Sequence, residues 1–458
     1  MSPARAAALR VYETVVRGTA TLPDALAIAQ AGLEDPRDRA LTVEIATGMF
    51  RWQAALDHAL AAHVTRPLDR IDAIVLGILR LSAYQLLFLN RIPPRAVVYD
   101  AVALTRDAKK QSASGFVNAV LRRVAEADRD ALWPAKPDGD GAAALDYLSI
   151  TLSHPRWLAA RWLERHGFEA AEAWARFDNA PAALTLRANR LQVTREDLRD
   201  RLADQGVATD LTSFAPDGLI VRAGHPLQMP VAHQGLFTTQ DEASQLVASL
   251  AQAAVPARSG SAPLRVLDTC AAPGGKTLAL ASTVGPDGIV IATDRRKRRI
   301  RLLHDSVTAA HATQVHIAQL DLDAALPFRG VFDLVLVDAP CSGLGTIRRE
   351  PEIRWRRTED DLPRFAERQR RMLDHAAHGV RPGGRLVYAT CSSEPEENEE
   401  VVAAFLADHP AFRALPAQQL VLPPALASVI DEAGHLRTWP FLHGLEAFFA
   451  AVFDRVFE

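Results

Sequence analysis

Arg265 to Leu280 read R-V-L-D-T-C-A-A-P-G-G-K-T-L-A-L. A short apolar run ends in Asp268, breaks at Pro273-Gly274-Gly275 and resumes as a helix-forming stretch from Thr277. Two adjacent glycines let the backbone take conformations closed to other residues and come close to a ligand. Strand, tight loop and helix start in that order predict the first turn of an open α/β sheet, where nucleotide-like ligands sit.

Gly275-Lys276-Thr277 also matches the end of a phosphate-binding loop, G-x-x-x-x-G-K-[ST]. Two residues argue against that reading. Cys270 stands where the pattern needs its first glycine, and Pro273 removes an N–H from a loop that would have to offer such groups to phosphate.

Downstream, apolar runs at Arg265–Leu267, Ile289–Thr293, Val315–Ala318, Asp333–Val337, Arg385–Ala389 and Ala447–Phe453 alternate with helical periodicity. That alternation predicts a mostly parallel sheet with helices on both faces, and strand carboxyl ends that share one crevice. Asp294 follows the second strand, where an acidic side chain can hold ribose hydroxyls. Asp321 follows the third and suits the exocyclic amine of an adenine. Asp338-Ala339-Pro340-Cys341 follows the fourth, and Thr390-Cys391-Ser392 the fifth. A single buried cysteine is ordinarily a small core residue. Two of them at neighbouring strand ends on the ligand side point to thiol chemistry.

Upstream, residues 1–135 carry helical periodicity at Ala4–Val16, Asp38–Phe50, Ala54–Val64, Asp69–Leu89, Arg95–Lys109 and Gly115–Ala127, with prolines 36, 67, 93 and 94 between the runs. Lys136–Ala144 has linker composition. His154–Phe177, with Trp157, Trp162 and Trp174, reads as a helix whose tryptophans are core. Strands at Leu184–Asn189, Thr209–Phe214 and Gly218–Arg222, with a helix capped by Thr194, make a small α/β module of about eighty residues. Phe237–Ala248 reads as the helix that leads into the central loop.

Three cysteines far apart exclude a disulfide framework and a zinc-finger spacing, and suit a reducing compartment. A net charge of −3 means that any basic surface is local. Ile71–Leu89 is apolar enough to suggest a membrane span, but Asp72, Arg80 and Gln85 make it an amphipathic buried helix instead. The expectation is a cytoplasmic protein with no membrane partner.

Three stretches together resemble a known family. Cys270-Ala271-Ala272-Pro273-Gly274-Gly275-Lys276, D-A-P-C-S-G-L-G-T-I-R-R (338–349) and Y-A-T-C-S-S-E-P-E-E-N (388–398) are similar to the signature loops of RNA (cytosine-5) methyltransferases. The landmarks A-L-T-V-E-I-A-T-G-M-F-R-W, I-L-R-L-S-A-Y-Q-L-L-F-L and G-F-V-N-A-V-L-R-R resemble the RNA-binding helical domain of the NusB type. The combination resembles the bacterial RsmB/Sun-type small-subunit rRNA methyltransferases. It implies a multi-domain chain: an all-α NusB-like bundle (1–135), a small α/β RNA-recognition module (146–235) and a Rossmann-like α/β methyltransferase domain (236–458).

The resemblance further implies S-adenosylmethionine as methyl donor. Its amino-acid end would lie at the 270–276 loop, its ribose at Asp294 and its adenine at Asp321, with Asp338 where the methionine end meets the target base. Cytosine carbon 5 is a poor nucleophile, and a thiolate added at carbon 6 makes it enamine-like; a base must then remove the carbon-5 proton. The resemblance implies Cys391 as nucleophile and Cys341 as the residue that assists release. Spacing alone leaves the two roles interchangeable. Cys270 is expected to be structural.

Lys276 and Arg349 are expected near the thiolates. Arg80, Arg91, Arg95, Arg122 and Arg123 are expected to contact phosphate, and Thr346–Arg357, with its arginines and Trp355, to contact unpaired bases. The expected partner is small-subunit 16S rRNA, unfolded or incompletely assembled because the base must leave its stack; the protein is expected to be monomeric. At 443–449, Leu445-Glu446-Ala447 stands where the family more often has an aspartate and a glycine before the phenylalanines. The alternative from another class is a non-catalytic RNA-binding assembly factor.

Overall fold

The computed structural model describes residues 2–139, 141–256 and 262–457. The linker reading at 136–144 includes residue 140, which lies outside them. The chain divides into two compact units, Met1–Pro181 with Ile347–Glu359, and Ala182–Thr346 with Asp360–Glu458.

The first unit is helical: α1 (Pro3–Val16), α2 (Leu22–Ala31), α3 (Pro36–Arg51), α4 (Gln53–Ala61), α5 (Ala73–Phe88), α6 (Pro94–Asp107), α7 (Ser114–Glu126) and α8 (Arg156–Asn179). Prolines stand in the first turn of α1, α2, α3 and α6, where a missing N–H costs nothing. Helix α2 is absent from the sequence reading. Its start is nevertheless marked by Thr21, whose hydroxyl accepts from the Asp24 N–H at 3.4 Å. Helix α5 is the bundle's axis: Asp72 caps it through the N–H groups of Ile74 and Val75, and all its residues from Val75 to Leu87 except Arg80 are buried. Among the described residues no helix is long and apolar enough to cross a membrane. Trp162 and Trp174 stack at 4.5 Å in the core of α8.

Two expectations for this unit are corrected. Arg80 is not a phosphate contact: its guanidinium is held by Asp57 through two bonds of 2.7 Å and faces the Tyr12 hydroxyl at 3.4 Å. Ile347–Glu359 is not a base-stacking surface, because it packs into the helical core. Arg354 is fully buried, and its Nη1 donates to the Ser153 carbonyl at 2.8 Å and to Asn179 Oδ1 at 3.0 Å. Burial pushes its pKa down to about 9. Trp355 Nε1 donates to the Phe50 carbonyl at 2.6 Å, and the Arg348 guanidinium lies 4.3 Å from the centre of the Phe177 ring. These arginines satisfy helix-end carbonyls, which sequence does not reveal.

The second unit opens with a four-stranded antiparallel sheet of β1 (Thr185–Ala188), β2 (Ala208–Leu211), β3 (Gly218–Ala223) and β4 (Phe237–Thr239), in the order β2-β3-β1-β4. Helix α9 (Arg195–Asp204) packs on it, with Thr194 as cap. Phe237–Thr239 is therefore a strand paired with β1, not the start of a helix. Helix α10 (Glu242–Ala253) begins only after Asp241, whose carboxylate accepts from the Ala243 N–H at 2.8 Å.

The large sheet holds β5 (Arg265–Asp268), β6 (Ile289–Asp294), β7 (Val315–Gln319), β8 (Phe332–Asp338), β9 (Val380–Thr390), β10 (Phe412–Ala414), β11 (Leu436–Arg437) and β12 (Phe449–Arg455). Its order is β10-β12-β9-β8-β5-β6-β7, with β11 on β12. Strands β5 to β9 are parallel; β12 pairs antiparallel with β9, and β10 and β11 each pair antiparallel with β12. Successive residues of β8 point to opposite faces: Leu334 and Leu336 join the core on one side, Val335 and Val337 that on the other. Each buried side chain of that size stabilises by roughly 1.5–3 kcal/mol.

Candidate active site

The chain reverses winding direction at β5, which lies between β6 and β8, so the crevice falls at its carboxyl end. There the loop Cys270–Gly274 leads into α11 (Gly275–Val284). Gly274 has φ of +116°, a conformation that favours glycine, and it caps α11. Asp268 is buried, accepts from the Thr277 hydroxyl at 2.7 Å, and is pushed by burial up to about 7. Cys270 is half-buried, and desolvation together with the neighbouring aspartates pushes its thiol up. Ala271 N–H donates to the Thr293 carbonyl at 2.8 Å, which ties the loop to β6.

Asp294 ends β6. Its carboxylate accepts from the Arg296 N–H at 3.1 Å and pairs with Arg299 Nε at 2.9 Å, and Arg299 also reaches the Ala272 carbonyl. Asp321, beyond β7, has a half-exposed carboxylate that accepts from the Asp323 N–H at 3.0 Å. Asp338 ends β8, and its Oδ2 lies 2.7 Å from Lys276 Nζ; the same ammonium reaches Ser244 Oγ at 3.1 Å. The carboxyl ends of three parallel strands thus carry acidic acceptors, while a lysine rises from the glycine loop. Such a set can take hydroxyls, an amine and an amino-acid group.

The two cysteines stand side by side. Cys341, after β8, and Cys391, after β9, have sulfurs 3.2 Å apart. The sulfur of Cys391 and burial together push the Cys341 thiol well up. Backbone bonds join the surrounding loops: Ala339 N–H to the Ala389 carbonyl at 2.8 Å, Gly345 N–H to the Cys391 carbonyl at 2.9 Å, and Ala447 N–H to the Gly345 carbonyl at 3.0 Å. The Leu445-Glu446-Ala447 segment that departs from the family pattern is buried and held in this ladder.

Of the two cations expected near the thiolates, Lys276 is engaged by Asp338, and Arg349 belongs to the helical unit. Sequence reasoning assigns no role to Glu397 and Asn398, although both lie in the quoted Y-A-T-C-S-S-E-P-E-E-N stretch. Both are fully buried, an unusual place for a charged group without a specific task.

Sheet topology and strand-end residues define a Rossmann-like α/β transferase with a paired-cysteine site. Residues 261–454 match the family described as 16S rRNA methyltransferase RsmB/F. Residues 2–126 match the NusB family, and 154–228 the ferredoxin-like domain of RsmF/B-like methyltransferases. The chain is 35% identical over 417 residues to ribosomal RNA small subunit methyltransferase B of Pseudomonas putida, with 91% of each chain covered. It is 33% identical over 416 residues to the probable enzyme of that name from Bacillus subtilis, with 90% of each covered. The crystal structure of PH0851 superposes with a TM-score of 0.79 over 98% of both chains at 26% identity. The chain belongs to the 16S rRNA methyltransferase RsmB/F family, and is an S-adenosylmethionine-dependent rRNA methyltransferase.

Proposed function

We propose that the protein methylates carbon 5 of a cytosine in small-subunit rRNA through a covalent bond between Cys391 and the base. The observation that carries this reading is the 3.2 Å approach of the Cys341 and Cys391 sulfurs at the ends of adjacent strands. Cys391 thiolate attacks carbon 6, and the ring's π electrons make carbon 5 nucleophilic. S-adenosylmethionine supplies the methyl group. Cys341 assists removal of the carbon-5 proton; the electrons of that C–H bond re-form the carbon 5–carbon 6 double bond, and the Cys391 sulfur leaves.

The donor set fits S-adenosylmethionine by its chemistry. Asp294 would accept from ribose hydroxyls and Asp321 from the adenine amine. The loop Cys270, Ala271, Ala272, Pro273, Gly274, Gly275 with Lys276 would hold the amino-acid end, and Asp338 would stand between that end and the base. Cys270 acts through its backbone, in keeping with a thiol that its surroundings hold in the protonated form.

In the helical unit, α6 and α7 flank a groove of about 970 Å³ lined by Arg95, Tyr99, Arg106, Asn118 and Arg122. Tyr99 is 73% exposed, and among the described residues none of these arginines forms an ion pair. Arg91 and Arg123, outside the groove lining, are also exposed. An aromatic face among free cations suits single-stranded rRNA. The substrate is read as incompletely assembled rRNA, bound by a monomer in the cytoplasm.

The test is covalent capture on rRNA containing 5-fluorocytidine, whose carbon-5 fluorine blocks release. Wild type is captured and Cys391→Ala is not. On unmodified rRNA, Cys341→Ala accumulates an adduct. The opposite pattern exchanges the two roles, and capture by neither sulfur overturns the mechanism. Bisulfite sequencing of rRNA from cells with and without the gene identifies the cytosine.

A further inference from the structure

We propose that Glu397 and Asn398 are positioning residues with divided labour, Glu397 bracketing Cys341 and Asn398 bracketing Cys391. The proposal rests on the two-cysteine reading above.

The geometry is paired. Glu397 Oε1 accepts from the Ser342 N–H at 2.8 Å, on the C-terminal side of Cys341. Gln369 Nε2, on the helix Leu362–Ala377, donates to the same Oε1 at 2.9 Å and to the Pro340 carbonyl at 3.2 Å, on the N-terminal side. Asn398 does the same for the other sulfur: its Oδ1 accepts from the Thr390 hydroxyl at 2.6 Å and its Nδ2 donates to the Ser392 carbonyl at 3.0 Å. Two bonds link the brackets, from the Ser392 hydroxyl to Glu397 Oε2 at 2.5 Å and between the Ser342 and Ser392 hydroxyls at 3.2 Å. The Tyr388 hydroxyl donates to the Glu397 carbonyl at 2.5 Å and anchors the pair to β9.

The Ser342 N–H and the Gln369 amide nitrogen can only donate, so Oε1 has to be an acceptor, and the Ser392 hydroxyl donates to Oε2. An amide at 397 would turn an NH₂ towards one of them. Hydrogen bonds from the Ser342 hydroxyl and N–H, the Ser392 hydroxyl and the Gln369 amide also offset the cost of burying a carboxylate, which burial pushes up from its ordinary value. No bond to substrate is needed for any of this, and a misplacement of about 1 Å is enough to cost on the order of a hundredfold in rate.

The experiment uses the full chain, rRNA substrate and S-adenosylmethionine, with C341A and C391A as references. Glu397→Gln is expected to lower kcat by roughly tenfold to a hundredfold, to leave KM for RNA and donor affinity unchanged, and to accumulate adduct on unmodified rRNA as C341A does. Asn398→Ala is expected to slow capture on 5-fluorocytidine rRNA, shifting towards C391A. Melting is measured for each variant, since a purely structural role lowers stability without sending the two variants to opposite steps. Should E397Q fail to fold, Gln369→Met removes only the amide and shows the same accumulation by a smaller factor. Equal partition between capture and release in both variants overturns the proposal while wild-type capture stands. Failure of wild type to be captured overturns the underlying two-cysteine reading and this inference with it.

Discussion

Lys276 Nζ lies 2.7 Å from Asp338 Oδ2, which joins the glycine loop after β5 to the end of β8 across the crevice. Asp338 is partly open to solvent, so water can hydrate its carboxylate when the lysine is removed. Lys276→Met removes a hydrogen bond between charged groups, worth about 2 kcal/mol, or roughly thirtyfold in kcat/KM. The melting temperature should stay within a few degrees of wild type. A variant with wild-type kinetics would remove the lysine from the site.

Gly345 makes a second junction. A Cβ there would lie 1.9 Å from the Ala447 carbonyl oxygen and 2.8 Å from that of Cys391, both backbone atoms. Neither can swing aside as a side-chain tip would. Gly345→Ala should cost about 1–3 kcal/mol in stability, the range for overpacking, and should reduce covalent capture by displacing Cys391. Urea denaturation and capture on 5-fluorocytidine rRNA measure the two effects. Full activity in this variant would mean that the loop ladder is not needed for thiol placement.

The parallel strands were legible because both faces of the sheet are buried, which leaves short apolar runs such as Leu334–Val337 bounded by acidic or glycine-rich ends. The crevice residues were legible for the same reason, since a polar residue after a buried strand has few other places to go. The segment 347–359 was not legible. Its run R-R-E-P-E-I-R-W-R-R has the composition of a solvated or RNA-facing surface, and only the structure places Arg354 among carbonyls of Ser153 and Arg51. Arg80 misleads in the same way, since its partner Asp57 lies on another helix. Strand β4 was missed because three residues carry too little periodicity to compete with the helix that follows.

Glu352 in that segment predicts a pH effect of definite sign. Its Oε1 accepts from the Leu22 N–H at 2.8 Å, while its Oε2 is buried without a partner among the described residues. Burial pushes its carboxyl up to about 7 from an ordinary 4.5. A carboxyl raised on folding favours the folded state most when protonated in both states, below about pH 4.5, and that advantage is lost as pH rises through about 7. Glu352→Gln keeps the acceptor and removes the ionisation. It should match wild type to within about 0.5 kcal/mol near pH 4.5 and be more stable by about 3 kcal/mol above pH 7, since each tenfold difference in proton affinity between the folded and unfolded chain is worth about 1.4 kcal/mol. Chemical denaturation at pH 4.5, 6 and 8 reads this directly, and a gap that does not widen with pH would refute it.

The α6–α7 groove predicts how RNA affinity divides between charge and stacking. Arg106 and Arg122 face it from opposite helices, and each phosphate contact to a single strand contributes a salt slope of about 0.7. The double variant R106A/R122A should weaken binding of an rRNA oligonucleotide and reduce the slope of log affinity against log salt by about 1.4, since two such contacts are removed. Tyr99→Ala removes a stacking face worth about 1–3 kcal/mol and should weaken binding with the slope unchanged, because a ring carries no charge. Arg80→Ala, in contrast, should lower the melting temperature through the broken Asp57 pair and leave the salt slope alone. Fluorescence anisotropy over a range of salt from about 50 to 300 mM separates these outcomes. If R106A/R122A and R80A shift the slope equally, the groove is not where the phosphates lie.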